Sequence, residues 1–564
     1  MAQISGPDKN FFLKSLTSLR VTAISELHFV PDKAALAGMS WMSWGISRQL
    51  TAFLGVNMSR LFSVRLPLMA AAFLCAFLLA FSECRAIDFK ISGQWVVGFE
   101  YSNVMPRHNR HSANDYFGAL QRFRVQLDAV ASETLSGSVQ LELGRVDWGK
   151  ASTGGALGAD GKIAKVRFAY LDWIVPETAI KVRMGLQTIM LPGYLSQWGF
   201  GPIFGKEMAG ITVNSPLYNS DNFNVDMTLF WARPYNDNTD EETARYRYID
   251  NMDNFGLVLP FSGPNYKIQP YFMYSMIGKY SMTNVSAAQG DSGIVAPRGG
   301  LMPVLGANHT YTWFADRYLH GLNKPYGDGI WAGLAGSVDI LGDWRVAFEG
   351  AFGSVDMGTA RNYKGFGDPK GRNFDVRREG WYAGAKVEYK LDWGVPGFLF
   401  WYGSGDDDNP YNGSERLPQF NTPWGVSSLG FGGGTFDEFT WKVLGHNPGG
   451  TIGMIAQIDK LSFINDLSHV LRFGYYIGTN SPKMPRKAQM DYPTRADGPN
   501  AYLTTTDTAW ELNLVTSYKI YENLTINLDA AYVRLNLDDD TWRGKQDAHW
   551  KDNYRIGLAF AYNF

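Results

Sequence analysis

Residues 554–564 read Tyr-Arg-Ile-Gly-Leu-Ala-Phe-Ala-Tyr-Asn-Phe. Tyr554, Ile556, Leu558, Phe560, Tyr562 and Phe564 alternate with Arg555, Gly557, Ala559, Ala561 and Asn563. Successive side chains of a strand point to opposite faces, so one face here is wholly apolar while the other is polar or small. A tilted strand needs about 9–11 residues to cross a bilayer, which is the length of this stretch. Two readings meet these residues: the last strand of a soluble β-sandwich, and the closing strand of a transmembrane barrel.

Working outward, the same alternation recurs back to residue 89. Phe89, Ile91, Trp95, Val97, Phe99 and Tyr101 oppose Lys90, Ser92, Gln94 and Glu100. Phe123, Val125 and Leu127 oppose Arg122, Arg124, Gln126 and Asp128, and Val139, Leu141 and Leu143 oppose Gln140 and Glu142. Val166, Phe168 and Tyr170 are read on the apolar face against Lys165 and Arg167, and Val182, Met184 and Leu186 against Lys181, Arg183 and Gln187. Further strands are expected near 208–215, 223–232, 253–260, 265–276, 328–340, 343–353, 380–391, 396–404, 450–460, 468–479, 508–519, 523–535 and 552–564. The count is eighteen, with sixteen as the alternative.

The connections separate the two readings. Those after even-numbered strands are short, as at 132–136, 175–178, 341–342 and 520–522, whereas those after odd-numbered strands run long, above all at 277–327 and 405–449. Short periplasmic turns alternating with long extracellular loops mark an outer-membrane barrel. An even count brings both ends to one side, where the last strand can pair with the first and leave no open edge. The fold expected is therefore all-β: a transmembrane, antiparallel, up-and-down barrel in the outer membrane of a Gram-negative bacterium. The final aromatic strand resembles the closing strand of such barrels, which implies the barrel-assembly machinery as a partner, with outer-membrane lipid around the wall.

The composition agrees. The 564 residues include Gly 61, 15% aromatics and Cys 2, with a formal charge of −2. There is no basic block or phosphate loop to argue for nucleic acid. Leu66–Phe81 is an uncharged, mostly apolar run preceded by Arg60 and Arg65 and followed by Ser-Glu-Cys-Arg-Ala. Those are the parts of a secretory signal cleaved after Ala86, a transmembrane helix being the alternative. The expected division is an upstream extension from a mis-assigned start (1–57), a signal peptide (58–86) and the barrel (87–564). Both cysteines, Cys75 and Cys84, leave with the signal.

Several stretches carry a resemblance: Gly-Gly-Ala-Leu-Gly-Ala-Asp-Gly (154–161), Val-Arg-Phe-Ala-Tyr-Leu-Asp-Trp (166–173) and Val-Arg-Met-Gly-Leu-Gln (182–187), with Phe-Trp-Ala-Arg-Pro-Tyr-Asn-Asp (230–237) and Trp-Tyr-Gly-Ser-Gly-Asp-Asp-Asp-Asn-Pro (401–410). Together they resemble the outer membrane homotrimeric porins of sulfate-reducing bacteria. The resemblance implies a homotrimer of water-filled barrels passing ions and small hydrophilic solutes passively. The eight histidines show no zinc spacing and no nucleophile-elbow or paired-base arrangement is found, so no catalysis and no cofactor are expected. The alternatives are a substrate-specific outer-membrane channel and an outer-membrane barrel enzyme.

The polar faces of strands two, four and five place Arg122, Arg124, Lys165, Arg167, Lys181 and Arg183 in the lumen. A basic wall screened from lipid attracts anions. The resemblance adds an inward-folded third loop facing such a ladder; the segment in that place is 188–207, with Tyr194, Trp198, Lys206 and Glu207. A second reading of the same bases is structural, as partners of Asp128, Glu142 or loop acids. Asp406, Asp407 and Asp408 form a hard-oxygen cluster that reads either as a solvated acidic loop or as a calcium site, although calcium ligands usually alternate along a loop.

Overall fold

The alternating segments become nineteen strands in the computed structural model: β1 (Asp88–Ser102), β2 (Tyr116–Ser132), β3 (Leu135–Asp147), β4 (Lys165–Ile174), β5 (Lys181–Pro192), β6 (Phe200–Asn219), β7 (Asn224–Asn236), β8 (Asn251–Val258), β9 (Phe261–Gly263), β10 (Tyr266–Gly278), β11 (Tyr326–Leu341), β12 (Trp344–Tyr363), β13 (Arg372–Tyr389), β14 (Val395–Gly403), β15 (Thr451–Ile464), β16 (Leu467–Gly478), β17 (Thr508–Tyr521), β18 (Leu524–Asn536) and β19 (Asp552–Asn563). The structure describes residues 87–104, 116–158, 164–236, 251–278, 281, 300–301, 303, 323–363, 370–420, 422–432, 442–490, 501–543 and 551–564. The expected extension 1–57 and the signal 58–86, with cleavage after Ala86, lie outside the described residues.

Successive strands pair antiparallel all the way round, and β19 returns to pair with β1, from Gln94 opposite Asn563 to Ser102 opposite Arg555. Even the last residue is held, since Gly93 donates to the Phe564 carbonyl at 2.8 Å. β8 and β9 both lie between β7 and β10. They are one wall position interrupted at Leu259–Pro260, where proline has no N–H to give a ladder. Among the described residues the barrel wall therefore has eighteen positions, and no strand edge is left open.

The register at β19 is the expected one. Ile556 is 51% exposed and Tyr562 40%, whereas Arg555 is 1% and Ala559 2%. The apolar face is outside. Trp173, Trp344, Tyr518 and Tyr562 are exposed towards the short-turn end, and Tyr101, Phe117, Trp148 and Trp381 towards the long-loop end. These are the two aromatic girdles of a membrane barrel. The wall is that of a transmembrane β-barrel.

Two expectations need correcting. Between Val166 and Phe168 the β3–β4 register slips by one residue, leaving Arg167 extra on β4. A bulge of this kind reverses the facing of everything beyond it. Phe168 and Tyr170 therefore stand opposite Gln140 and Ser138 on the lumen side, not on the lipid face.

The second correction concerns the lumen itself, which was expected to be lined by polar residues. On β10 to β16 the inward positions include Tyr271, Met273, Trp331, Val355, Leu399, Trp401, Ile455 and Tyr476, all at most 7% exposed. They are covered from inside by the connection between β14 and β15, whose Leu417, Phe420, Trp424, Leu429 and Phe431 join one continuous apolar core. Trp401 packs edge-on against Trp424 and Phe431 at 5.6 and 5.2 Å. Burying each such side chain stabilises by about 1.5–3 kcal/mol, which holds a long connection inside the barrel instead of above it. Strand glycines make room: a Cβ on Gly453 would lie 2.1 Å from the Trp401 ring, and one on Gly353 2.5 Å from Trp331.

Candidate functional site

The segment expected as a loop at 188–207 is mostly strand, with only residues 193–199 connecting β5 to β6. Pairing of β5 with β4 stops at Leu186, and pairing of β6 with β7 begins only at Ala209. Residues 187–208 thus form a hairpin whose backbone pairs with itself and not with the neighbouring wall strands. Gly185, at φ +125°, marks the departure; a Cβ there would lie 2.3 Å from the Ala169 carbonyl. Gln187 then ties the kink, donating to the carbonyls of Arg183 (3.1 Å) and Gly210 (3.0 Å).

The hairpin crosses the lumen. Beyond the kink, Ile189, Leu191, Leu195, Ile203 and Phe204 are 0–3% exposed. The tip reaches β12, where the Glu349 carboxylate accepts the backbone N–H groups of Tyr194 and Leu195. The Tyr194 hydroxyl accepts from Gln269 of β10 at 2.8 Å. Trp198, at the turn, is 42% exposed.

The β14–β15 connection lies along this hairpin. Phe420 N donates to the Ile203 carbonyl (2.8 Å), Thr422 Oγ1 to the Gly201 carbonyl (2.9 Å) and Gln197 N to the Gly425 carbonyl (2.9 Å). At one end Trp331 Nε1 of β11 donates to the Pro418 carbonyl at 2.8 Å. At the other, Leu429 N and Gly430 N donate to Glu511 of β17, and Arg555 of β19 donates to the Ser428 carbonyl. Hairpin and connection together make a crossbeam from one wall to the other, leaving the inner faces of β1 to β5 as the polar side of the lumen.

That polar side holds the bases, and four of them are paired with acids. Arg124 bonds Glu142. Arg167, at the bulge, bonds Gln140 (3.0 Å) and Glu207, and its guanidinium lies over Phe168 at 4.7 Å. Asp172 takes Lys181 (2.9 Å) and both Nε and Nη2 of Arg183 (2.6 and 2.7 Å), while Arg183 also lies 4.0 Å over the Tyr170 ring. Arg122 donates to Gln94 at 2.6 Å. Lys165 stands opposite Glu142 in the β3–β4 register, and Lys206 is exposed. Asp128 takes neutral partners, Gln126 and Ser138. Asp172 and Glu207 are thus the principal partners of the strand four and five bases.

Asp406, Asp407 and Asp408 diverge. Asp406, 2% exposed, takes Ser414 and the Tyr502 hydroxyl and so joins two connections. Asp407 caps Asn409 N and binds Asn412. Asp408 meets Lys487 at 2.8 Å, and that ammonium holds its carboxyl below the usual range. Calcium would need these oxygens to converge on one point.

Sequence reading missed two sets of residues. Glu349 and Glu511 were inside segments read as strands, on their polar parity, but nothing local distinguishes a wall carboxylate that will receive a distant hairpin. Arg472 is the other. It is flanked by the outward Leu471 and Phe473 on β16, and its alternation with them was the available signal.

No family model matches the sequence, and no curated protein matches it. Among solved structures, Pseudomonas aeruginosa OccK5 (OpdH) is similar at 14% identity and TM-score 0.42, covering 85% of this chain and 98% of that one. P. aeruginosa OpdQ is similar at 13% and 0.43, with the same coverages. A BenF-like porin from Pseudomonas fluorescens Pf-5 is similar at 10% and 0.43, again over 85% and 98%.

Proposed function

We propose that this chain is an outer-membrane channel for passive diffusion of small hydrophilic solutes, selective among them by virtue of a narrowed lumen, and not an enzyme. The observation that carries this reading is the crossbeam: Leu417, Trp424 and Phe431 are at 0% exposure inside an eighteen-position barrel. A wall of this size would otherwise enclose a wide aqueous bore. The remaining polar side, from Arg122 to Arg183 with Lys206, carries more bases than acids and favours anionic solutes.

Planar-bilayer recording of the purified protein under a salt gradient, with liposome uptake of neutral, anionic and cationic solutes of similar size, tests it. The expected result is a small, anion-preferring conductance with unequal uptake. A large conductance passing all three classes alike would favour the general porin, the second reading. On the resemblance to the homotrimeric porins of sulfate-reducing bacteria we also propose a homotrimer, for which the native mass in detergent is the test.

A further inference from the structure

The inner end of the crossbeam is the turn 427–430, and its attachment is polar. Glu511 Oε1 accepts Leu429 N (2.8 Å), Gly430 N (2.9 Å) and Asn513 Nδ2 (2.6 Å), while Oε2 accepts the Tyr476 hydroxyl (2.7 Å). Asn513 Oδ1 accepts Ser428 N at 2.9 Å. A Cβ on Gly430 would lie 2.3 Å from Glu511 Oε2, so glycine is what lets the carboxylate come this close.

Beside this attachment lies an arginine with two unfilled guanidinium donors. Arg472 stands opposite Asn513 in the β16–β17 register, on the lumen face, and its buried Nε and Nη1 have no hydrogen-bond partner. The acids acting on it are Asp459, Asp529 and Glu511. Asp529 is already bonded to Arg555 at 3.1 Å, and Asp459 to Lys460 N at 2.8 Å. Glu511 stands opposite Gly474, two residues along β16, which makes Arg472 and Glu511 diagonal neighbours on one face. Diagonal positions are about 7–8 Å apart, within reach of a long side chain.

We infer that Glu511 is the positioning residue that latches the crossbeam turn, and that Arg472 is its alternative partner when the turn lifts away. A buried carboxylate that loses two donors is strongly destabilised unless a cation replaces them. Arg472 supplies that replacement by a change of rotamer, and its own unfilled donors are satisfied in the same move. The turn then has two positions, one in which its backbone N–H groups hold Glu511 and one in which Arg472 does, as a bistable element requires. This inference rests on the channel reading.

Single-channel recording of the full-length, purified protein tests it. Wild type is expected to show a small resting current with infrequent larger openings. Glu511→Ala should raise the resting current several-fold. Arg472→Gln should leave the resting current as in wild type but shorten the large openings several-fold, because the lifted state loses its ion pair. If Glu511→Ala does not assemble, judged by heat-modifiable migration, Gly430→Ala displaces the same turn by steric contact and should raise the resting current likewise. An assembled Glu511→Ala or Gly430→Ala with wild-type current, or an Arg472→Gln protein with unshortened openings, overturns the latch while the channel reading stands. Absence of any current from wild type overturns the channel reading and the latch together.

Discussion

Arg183 and Asp172 face each other across adjacent strands and make a two-pronged pair, Nε to Oδ1 at 2.6 Å and Nη2 to Oδ2 at 2.7 Å. Lys181 shares the same carboxylate. One acid therefore neutralises part of two bases on the lumen wall. Asp172→Asn should leave both cations uncompensated and shift the reversal potential under a salt gradient towards anions. Arg167→Glu with Arg183→Glu should shift it towards cations. Fixed charges act strongly in a narrow, low-dielectric pore, and salt, with a Debye length of about 8 Å, weakens the effect without abolishing it. Unchanged reversal potentials in assembled mutants would place the narrow part of the pore elsewhere.

The hairpin tip hangs on Glu349. Glu349→Ala removes the acceptor of two backbone N–H groups, and each buried group left unsatisfied costs about 1–3 kcal/mol. Glu349→Gln keeps an acceptor oxygen. The alanine variant should show higher and noisier current than wild type, and the glutamine variant most of the wild-type behaviour. Equal currents in all three would mean that packing of Leu195 and Phe204 alone holds the hairpin.

The facing of β19 has a simple test. Leu558→Arg puts a charge on the lipid face and should cost roughly 2–4 kcal/mol near mid-membrane. Ala559→Ser, on the lumen face, should fold as wild type. Denaturant unfolding in detergent micelles and lipid vesicles measures both, and equal stabilities would mean the strand register is off by one.

Gly453 lies under the Trp401 indole, where an added methyl would sit 2.1 Å from the ring. Gly453→Ala should destabilise the barrel by about 1–3 kcal/mol, the usual cost of overpacking a filled core. The near-ultraviolet circular dichroism of the Trp401–Trp424–Phe431 cluster should change with it. A spectrum and stability like wild type would show that the indole moves aside freely.

At the base of the β14–β15 connection, burial pushes Glu415 up to about 7, with Asp406 and Asp407 nearby adding to it. Its neutral form is favoured in the packed connection. The stabilisation is complete below the free side-chain value of 4.5 and is lost as pH rises through about 7. Hydrogen exchange around residues 404–416 should therefore speed up between pH 5 and pH 8, beyond the intrinsic increase, as the pH range spans the shift from about 4.5 to about 7. Glu415→Gln should remove the excess. An excess that persists in the glutamine variant would assign it to another group.

How much of this was legible in the chain differs by level. Eighteen wall positions, the short-turn and long-loop ends, and the outward face of residues 554–564 follow from side chains alternating with period two. That period is a property of the extended backbone itself and needs no knowledge of what lies across the barrel. Three features came only from tertiary structure. The facing of Phe168 and Tyr170 depended on one extra residue at Arg167, and a bulge leaves no mark on composition. The neutralisation of Arg183 and Arg167 depended on Asp172 and Glu207 arriving beside them. The lumen depended most on distant partners: Trp331, Trp401 and Tyr476 sit on lumen parity in strands that read as ordinary wall. They are buried because a connection starting after Gly403 folds back onto them and bonds to Glu511 and Arg555, residues near the end of the chain. Alternation tells each side chain which face it occupies, but whether the inner face meets water or another part of the chain is decided by contacts between segments far apart in sequence.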